Sequence, residues 1–161
     1  MGAMGSPRFV LPLLGALAAC KPVREEQVVF VCEHGAAKSV VAAAFFNKLT
    51  AERGLRARAI ARGATPQENL AKSAVKGLRA DGITTDLEAP RPLTADDVRR
   101  SSSVVTFDCD QASMKGLLGL GACWGDVPAT SEDYGRARDS IRAHLEVLID
   151  QLARSRGVGS K

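Results

Sequence analysis

The stretch that most constrains this chain is Val28-Val29-Phe30-Val31-Cys32-Glu33-His34-Gly35-Ala36-Ala37-Lys38-Ser39. Four apolar residues run into a cysteine, a small-residue turn follows, and a helical pattern starts at Val40. This predicts a buried strand over Val28–Val31, a tight loop and a helix N-terminus. Such a turn directs several backbone N–H groups into one small volume and adds the positive end of a helix dipole, so it attracts an oxyanion. The same surroundings favour the thiolate of a cysteine placed among them, which makes Cys32 a candidate nucleophile. A plainer reading stays open here, because cysteine packs as a small hydrophobe and Val-Val-Phe-Val-Cys suits any buried strand.

The rest of the chain alternates strands with helices. A first helix is expected over about Lys38–Arg53, with Val41, Ala44, Phe45 and Leu49 on one buried face and Gly54 as its C-cap. A second strand is expected over Ala57–Ala61, followed by a loop from Arg62 to Pro66. Arg62 reads there as a solvated loop residue, with reach to an anion as the alternative. A second helix over about Asn69–Ala80 stops at Asp81-Gly82, and Thr85–Pro92 reads as irregular. Thr94 caps a short helix with acids in its first turn, and a third strand follows over Ser103–Phe107. Gly116–Gly121 reads as a mobile glycine-rich loop, with a short strand near Ala122–Trp124 and a last amphipathic helix over about Asp133–Arg154. Alternation of this kind predicts an α/β fold: one three-layer α/β/α domain on a four-stranded parallel sheet. Ligands of such sheets sit beyond the carboxyl ends of the strands. Cys32 lies at that end of the first strand, and Asp108, Cys109 and Asp110 at that end of the third, so both groups are expected in one crevice.

At 161 residues the length fits one domain. Aromatic residues are few, which predicts a core of Val, Leu, Ile and Ala. The net charge of +4 is spread along the chain without basic blocks or interleaved aromatics, a pattern that does not suit nucleic acid. Four cysteines, at 20, 32, 109 and 123, form no Cys-x-x-Cys pair, and His34 and His144 are the two histidines, so neither a metal nor another cofactor is expected.

Residues 1–20 stand apart, with Arg8 as their one charge and an apolar run over Phe9–Ala19 too short to cross a bilayer as a mature helix. The run closes on Leu17-Ala18-Ala19-Cys20, which resembles a bacterial lipoprotein signal. That resemblance implies cleavage before Cys20, lipidation of Cys20, and a lipid-anchored protein at the cell envelope. A terminal helix packed on the domain, or an uncleaved tether, is the alternative, and a chain without a signal would be cytoplasmic. Met1–Ser6 also reads as an artificial leader, with the native start then at Met4. Residues 21–26 read as a linker to a domain spanning 27–161.

Cys32, five residues, a basic residue and then Ser39, directly after a Val-rich strand, resemble the low-molecular-weight protein tyrosine phosphatases. They equally resemble the relatives of that family, the thioredoxin-coupled arsenate reductases. The resemblance covers about residues 27–155 and implies that Cys32 attacks the substrate. Glu33, His34, Gly35, Ala36, Ala37 and Lys38 would wrap phosphate or arsenate, and Ser39 would hydrogen-bond the thiolate. The family has Arg where this chain has Lys38. Arg grips two oxygens of a transferring phosphoryl group with a planar fork, whereas Lys is a point charge on a flexible stem. Glu33 also departs, since a carboxylate in an anion loop opposes both thiolate and substrate unless it points outward.

The family further implies an Asp in a late loop as general acid, ordinarily after a Trp and before a Pro. Trp124-Gly125-Asp126-Val127-Pro128 occupies that place with Val127 intervening, which makes Asp126 the candidate and Asp108 and Asp110 the alternatives. All three also read as ordinary turn residues. Arsenate reduction would instead need a relay of thiols, for which Cys109 and Cys123 are candidates. The two also read as a structural disulfide or as buried thiols. The leading expectation is a metal-free monomer that hydrolyses a phosphate monoester, small molecule or phosphotyrosine protein, through a phosphocysteine. Arsenate reduction is the alternative, and a non-catalytic oxyanion-binding module is the third.

Overall fold

Val28 to Val31 alternate between two cores, and the fold grows from that alternation. In the computed structural model, which describes residues 1–2, 25–83 and 87–157, strand β1 is Glu26–Cys32. It pairs in parallel with β2, Ala57–Gly63, on one side and with β3, Ser103–Thr106, on the other. The two-residue strand β4, Ala122–Cys123, completes a parallel sheet in the order β2-β1-β3-β4. Val28, Phe30 and Cys32 face one core, together with apolar residues of helices α1 (Lys38–Glu52), α2 (Lys72–Ala80) and α4 (Tyr134–Gly157). Val29 and Val31 face the other, with Val104 and Met114 and the flank of α3 (Ala95–Arg100). A strand buried on both faces reads as a continuous apolar run, as this one does. All four residues from Val28 to Val31 have 0% exposure, and each contributes about 1.5–3 kcal/mol of burial.

The α/β fold with its four-stranded parallel sheet is as expected from the sequence, while several details differ. β1 starts at Glu26, which pairs with Ala57, so Glu26 belongs to the sheet rather than to a linker. β2 runs on through Arg62 to Gly63, and Arg62 is an ion-paired strand residue rather than a solvated loop residue. α2 begins at Lys72 rather than near Asn69. α1 is buried around its first two turns, from Ser39 to Phe46, rather than along one face, because it packs on β1 and β2 and also on α2 and α4. The scarce aromatics are concentrated rather than absent from the core. Phe30 lies 6.0 Å from Phe46, 6.3 Å from Phe107 and 5.5 Å from Trp124, measured between ring centroids.

The expected mobile loop over Gly116–Gly121 is instead largely a 3-10 helix, Ala112–Leu120. Met114 is fully buried against Val29, Val31 and Val104, with Leu117 beside it. Two apolar anchors outweigh the freedom of the glycines. The expected signal beyond residue 2, with Cys20, and the larger part of the expected linker lie outside the described residues. No helix among the described residues is long and apolar enough to cross a membrane.

Candidate active site

The loop Glu33–Ala37 turns its carbonyl groups outward. The carbonyls of Cys32, Glu33, His34 and Ala36 accept from the backbone N–H groups of Ala64, Thr65, Gln67 and Ala71 in the segment that links β2 to α2. A trans peptide points its C=O and the next N–H in opposite directions, so the N–H groups of residues 33, 34, 35 and 37 turn inward. Gly35 and Gly63 make the close approach possible. Gly35 has φ +61°, and a Cβ on it would lie 2.7 Å from the Gly63 nitrogen. The first turn of α1 adds its own N–H groups, and its N-cap residue Ala37 supplies no side-chain cap. Open donors and a helix dipole therefore face the space beside Cys32.

That space is a cavity of about 240 Å³, bounded by the loop, Ser73, Asp108 and the segment Ala129–Ser131. Cys32 is a free, buried cysteine at its floor, and its Sγ lies 3.1 Å from the Ser39 hydroxyl. Lys38 sits at the rim. Its Nζ donates to Asp108 Oδ1 at 2.6 Å and to the Val127 carbonyl at 2.9 Å. Asp108 takes φ 53°, which swings its carboxylate back toward the loop, where Oδ2 accepts from the Glu33 N–H at 3.4 Å. One side chain thus meets both the basic residue and a donor of the loop. The Glu33 carboxylate accepts from Ser113 of the 3-10 helix and lies 3.8 Å from His34.

The family model of low molecular weight phosphotyrosine protein phosphatases matches residues 27–117, more than half the chain. The chain belongs to this family. Solved structures with the same fold include YfkJ from Bacillus subtilis, 19% identical, with a TM-score of 0.72 over 84% of this chain and 99% of that one. The low-molecular-weight phosphotyrosine phosphatase VcLMWPTP-2 of Vibrio cholerae O395 is 15% identical, with a TM-score of 0.70 over 81% and 98%. A thioredoxin-dependent arsenate reductase of Corynebacterium glutamicum is 21% identical, with a TM-score of 0.63 over 84% of this chain and 65% of that one. At such identities the likeness is one of fold. No curated protein sequence matches the chain.

The strand-loop-helix unit of β1 and α1 brings Cys32, Lys38 and Ser39 together, and the turn after β3 adds Asp108. Neither brings Asp126 to them. Trp124 is drawn into the core against Phe30 and Phe107, and the turn after it emerges beside α4. There the Asp126 carboxylate is bound by His144 Nε2 at 2.8 and 2.9 Å and by the Ser140 hydroxyl at 3.2 Å, and it is 62% exposed. The hydrogen bond from His144 holds that carboxyl below the usual carboxylate range, against the opposing effect of desolvation. His144 in turn stacks on Trp124 at 4.7 Å. Asp110 lies exposed on the turn after β3, outside the cavity lining.

Cys109 and Cys123 form a disulfide between the end of β3 and β4. Arg62 does not reach the cavity, because its guanidinium grips Asp97 through two bonds of 2.9 and 3.2 Å. Tyr134 opens α4, with its ring over Gly77 and its hydroxyl on Asp81 at 2.7 Å, and burial pushes its phenol up. Among the described residues no group of His, Cys, Asp and Glu is arranged to hold a metal ion. Sequence reasoning missed Ser73 and Ala129–Ser131 as cavity walls. These residues carry no chemical signature, and only the Ser73–Thr130 hydrogen bond of 3.0 Å shows why the two segments close together.

Proposed function

We propose that the chain hydrolyses a phosphate monoester through a phosphocysteine on Cys32, with Asp108 rather than Asp126 as the proton carrier. The observation that carries this reading is the outward turn of four loop carbonyls, which leaves inward N–H groups around the Cys32 sulfur. Cys32 Sγ attacks phosphorus as a thiolate supported by Ser39, and the bond to the leaving oxygen breaks. Asp108, which takes up the proton that the Cys32 thiol gives off as the thiolate forms, passes it to that oxygen. It then takes a proton from water as the water attacks phosphorus, the P–S bond breaks, and phosphate and the thiolate are released. Lys38 has three N–H donors. Asp108 and Val127 hold two, and the third is left for an equatorial oxygen of the phosphoryl group.

Turnover of an aryl phosphate by the full chain, beside Cys32→Ser, tests this reading. Turnover in the parent and none in the variant supports it. Phosphate binding without turnover in either contradicts it in favour of an oxyanion-binding module.

One observation favours a second reading. Cys109 directly follows the cavity residue Asp108 and is bonded to Cys123. In arsenate reduction Cys32 would first bind arsenate. Cys109 would displace arsenite to give a Cys32–Cys109 disulfide, and Cys123 would displace Cys32 to leave Cys109–Cys123 for an external dithiol to reduce. Loss of arsenate reduction in Cys109→Ser, with aryl phosphate turnover absent from the parent, would select this reading.

A further inference from the structure

The outer face of α2 carries Lys72, Lys76 and Arg79, spaced by four and then three residues so that they share one side of the helix. All three are exposed, and among the described residues none forms an ion pair. With Leu70 and Val75 they line a shallow depression of about 360 Å³. It adjoins the candidate active site, since Ala71 and Ser73 line the cavity of Cys32 while Leu70 and Lys72, their neighbours in the chain, line the depression.

Folding does not account for these charges. The inner face of α2 is held by Ala74, Gly77 and Leu78, all buried. α2 contains no carboxylate, and its first turn has no acidic residue. Lys72 therefore sits at the positive end of the helix dipole, and Lys72 with Lys76 makes a like-charge pair one turn apart, both of which are unfavourable. Only Arg79, in the last turn, suits the dipole. Asp81, the next acid along the chain, is already held by Tyr134 and Arg138.

We propose that this stripe docks an acidic segment of a phosphorylated protein whose phosphoryl group enters the cavity of Cys32. The inference rests on the phosphatase reading of that cavity and names its substrate class. From Lys72 to Arg79 the helix rises about 10 Å, which an extended peptide covers in about three residues. Carboxylates within a few residues of the phosphorylated one would meet the three cations, with an apolar side chain over Leu70 and Val75. The stripe lacks the aromatic platform that nucleic acid uses. Leu70 and Val75 are half-buried, so little apolar surface is offered to a bilayer.

The test is kcat and KM of the full chain for two phosphotyrosine peptides of equal length, one flanked by Asp and Glu and one by Ser and Gln. Each is measured with the parent, with Lys72→Gln/Lys76→Gln/Arg79→Gln and with the corresponding Glu triple variant, beside an aryl phosphate. The expected result is a KM about tenfold lower for the acidic peptide, a difference that shrinks with added salt and disappears in both variants. The aryl phosphate parameters stay unchanged. Equal KM values in the parent, or a preference that survives in the variants, overturn the proposal. If the aryl phosphate is not turned over, the phosphatase reading fails separately. Anisotropy of the same labelled peptides on Cys32→Ser then decides the stripe by the same criterion. Binding of the parent to phosphatidylserine vesicles, lost in the variants while the peptides bind equally, would overturn it in favour of a membrane surface.

Discussion

Ser39 ends the loop that Cys32 begins, and the two side chains meet at 3.1 Å because the loop turns back through the Gly35–Gly63 contact. A hydroxyl donating to a thiolate is a charge-assisted bond of about 1.5–3 kcal/mol. Ser39→Ala is therefore expected to slow Cys32-dependent turnover about 10- to 100-fold, read as kcat for an aryl phosphate. Asp108 is a different kind of residue. In its proposed role as proton carrier it would matter most for a poor leaving group, so Asp108→Asn is expected to lower kcat about 100-fold for an alkyl phosphate and far less for a nitrophenyl phosphate. Equal losses on both substrates would contradict that role. Cys32, Lys38 and Ser39 were legible in the sequence because they belong to one short loop, whose spacing alone places them together. The acid was not. Asp126 stands in the expected order after a tryptophan, but that tryptophan anchors in the aromatic core and delivers Asp126 to His144. The sequence placed Asp108 in the same crevice as Cys32, but its contact with Lys38 depends on a positive φ that is not visible along the chain.

The short helix α3 shows how an element is fixed to the sheet. Thr94 and Asp97 form a capping box, and Asp97 also binds Arg62 of β2. Burial pushes the Asp97 carboxyl up, but the hydrogen bonds from Arg62 and Thr94 outweigh burial and hold it below the usual range. A carboxylate depressed in the folded state stabilises above its unfolded value and loses that contribution as pH falls through the folded one. Asp97→Asn is thus expected to cost about 2 kcal/mol at pH 7, with the gap to the parent closing below about pH 4, measured by urea midpoints. A gap independent of pH would contradict the assignment. The capping box was legible because it lies within four residues, and β1 because a run of Val and Phe has few other uses. The 3-10 helix was not. Its glycines signal a loop, and what orders it is Met114 entering a core that β1 and β3 build from distant parts of the chain. The all-round burial of α1 escaped for the same reason, since alanines on its outer faces become core only once α2 and α4 arrive.

In the whole molecule the order β2-β1-β3-β4 places the turn of chain direction between β1 and β3, and the crevice beyond their carboxyl ends holds both Cys32 and Asp108. The disulfide closes this half of the sheet, joining the segment that carries Asp108 to the one that leads to Val127. A bond across 14 residues stabilises by about 3 kcal/mol through the unfolded chain. Cys109→Ser/Cys123→Ser is expected to lower Tm by several degrees while leaving Cys32-dependent phosphate hydrolysis in place. Arsenate reduction lost in this variant, with no phosphate hydrolysis in the parent, would move the account toward the thiol relay. The central claim is that Cys32 carries the phosphoryl group. Intact-mass analysis of the full chain, acid-quenched during turnover of an aryl phosphate, tests it most directly. The account predicts a single phosphoryl adduct that maps to Cys32 and is absent from Cys32→Ala. Turnover that continues in Cys32→Ala, or an adduct on any other residue, would contradict it.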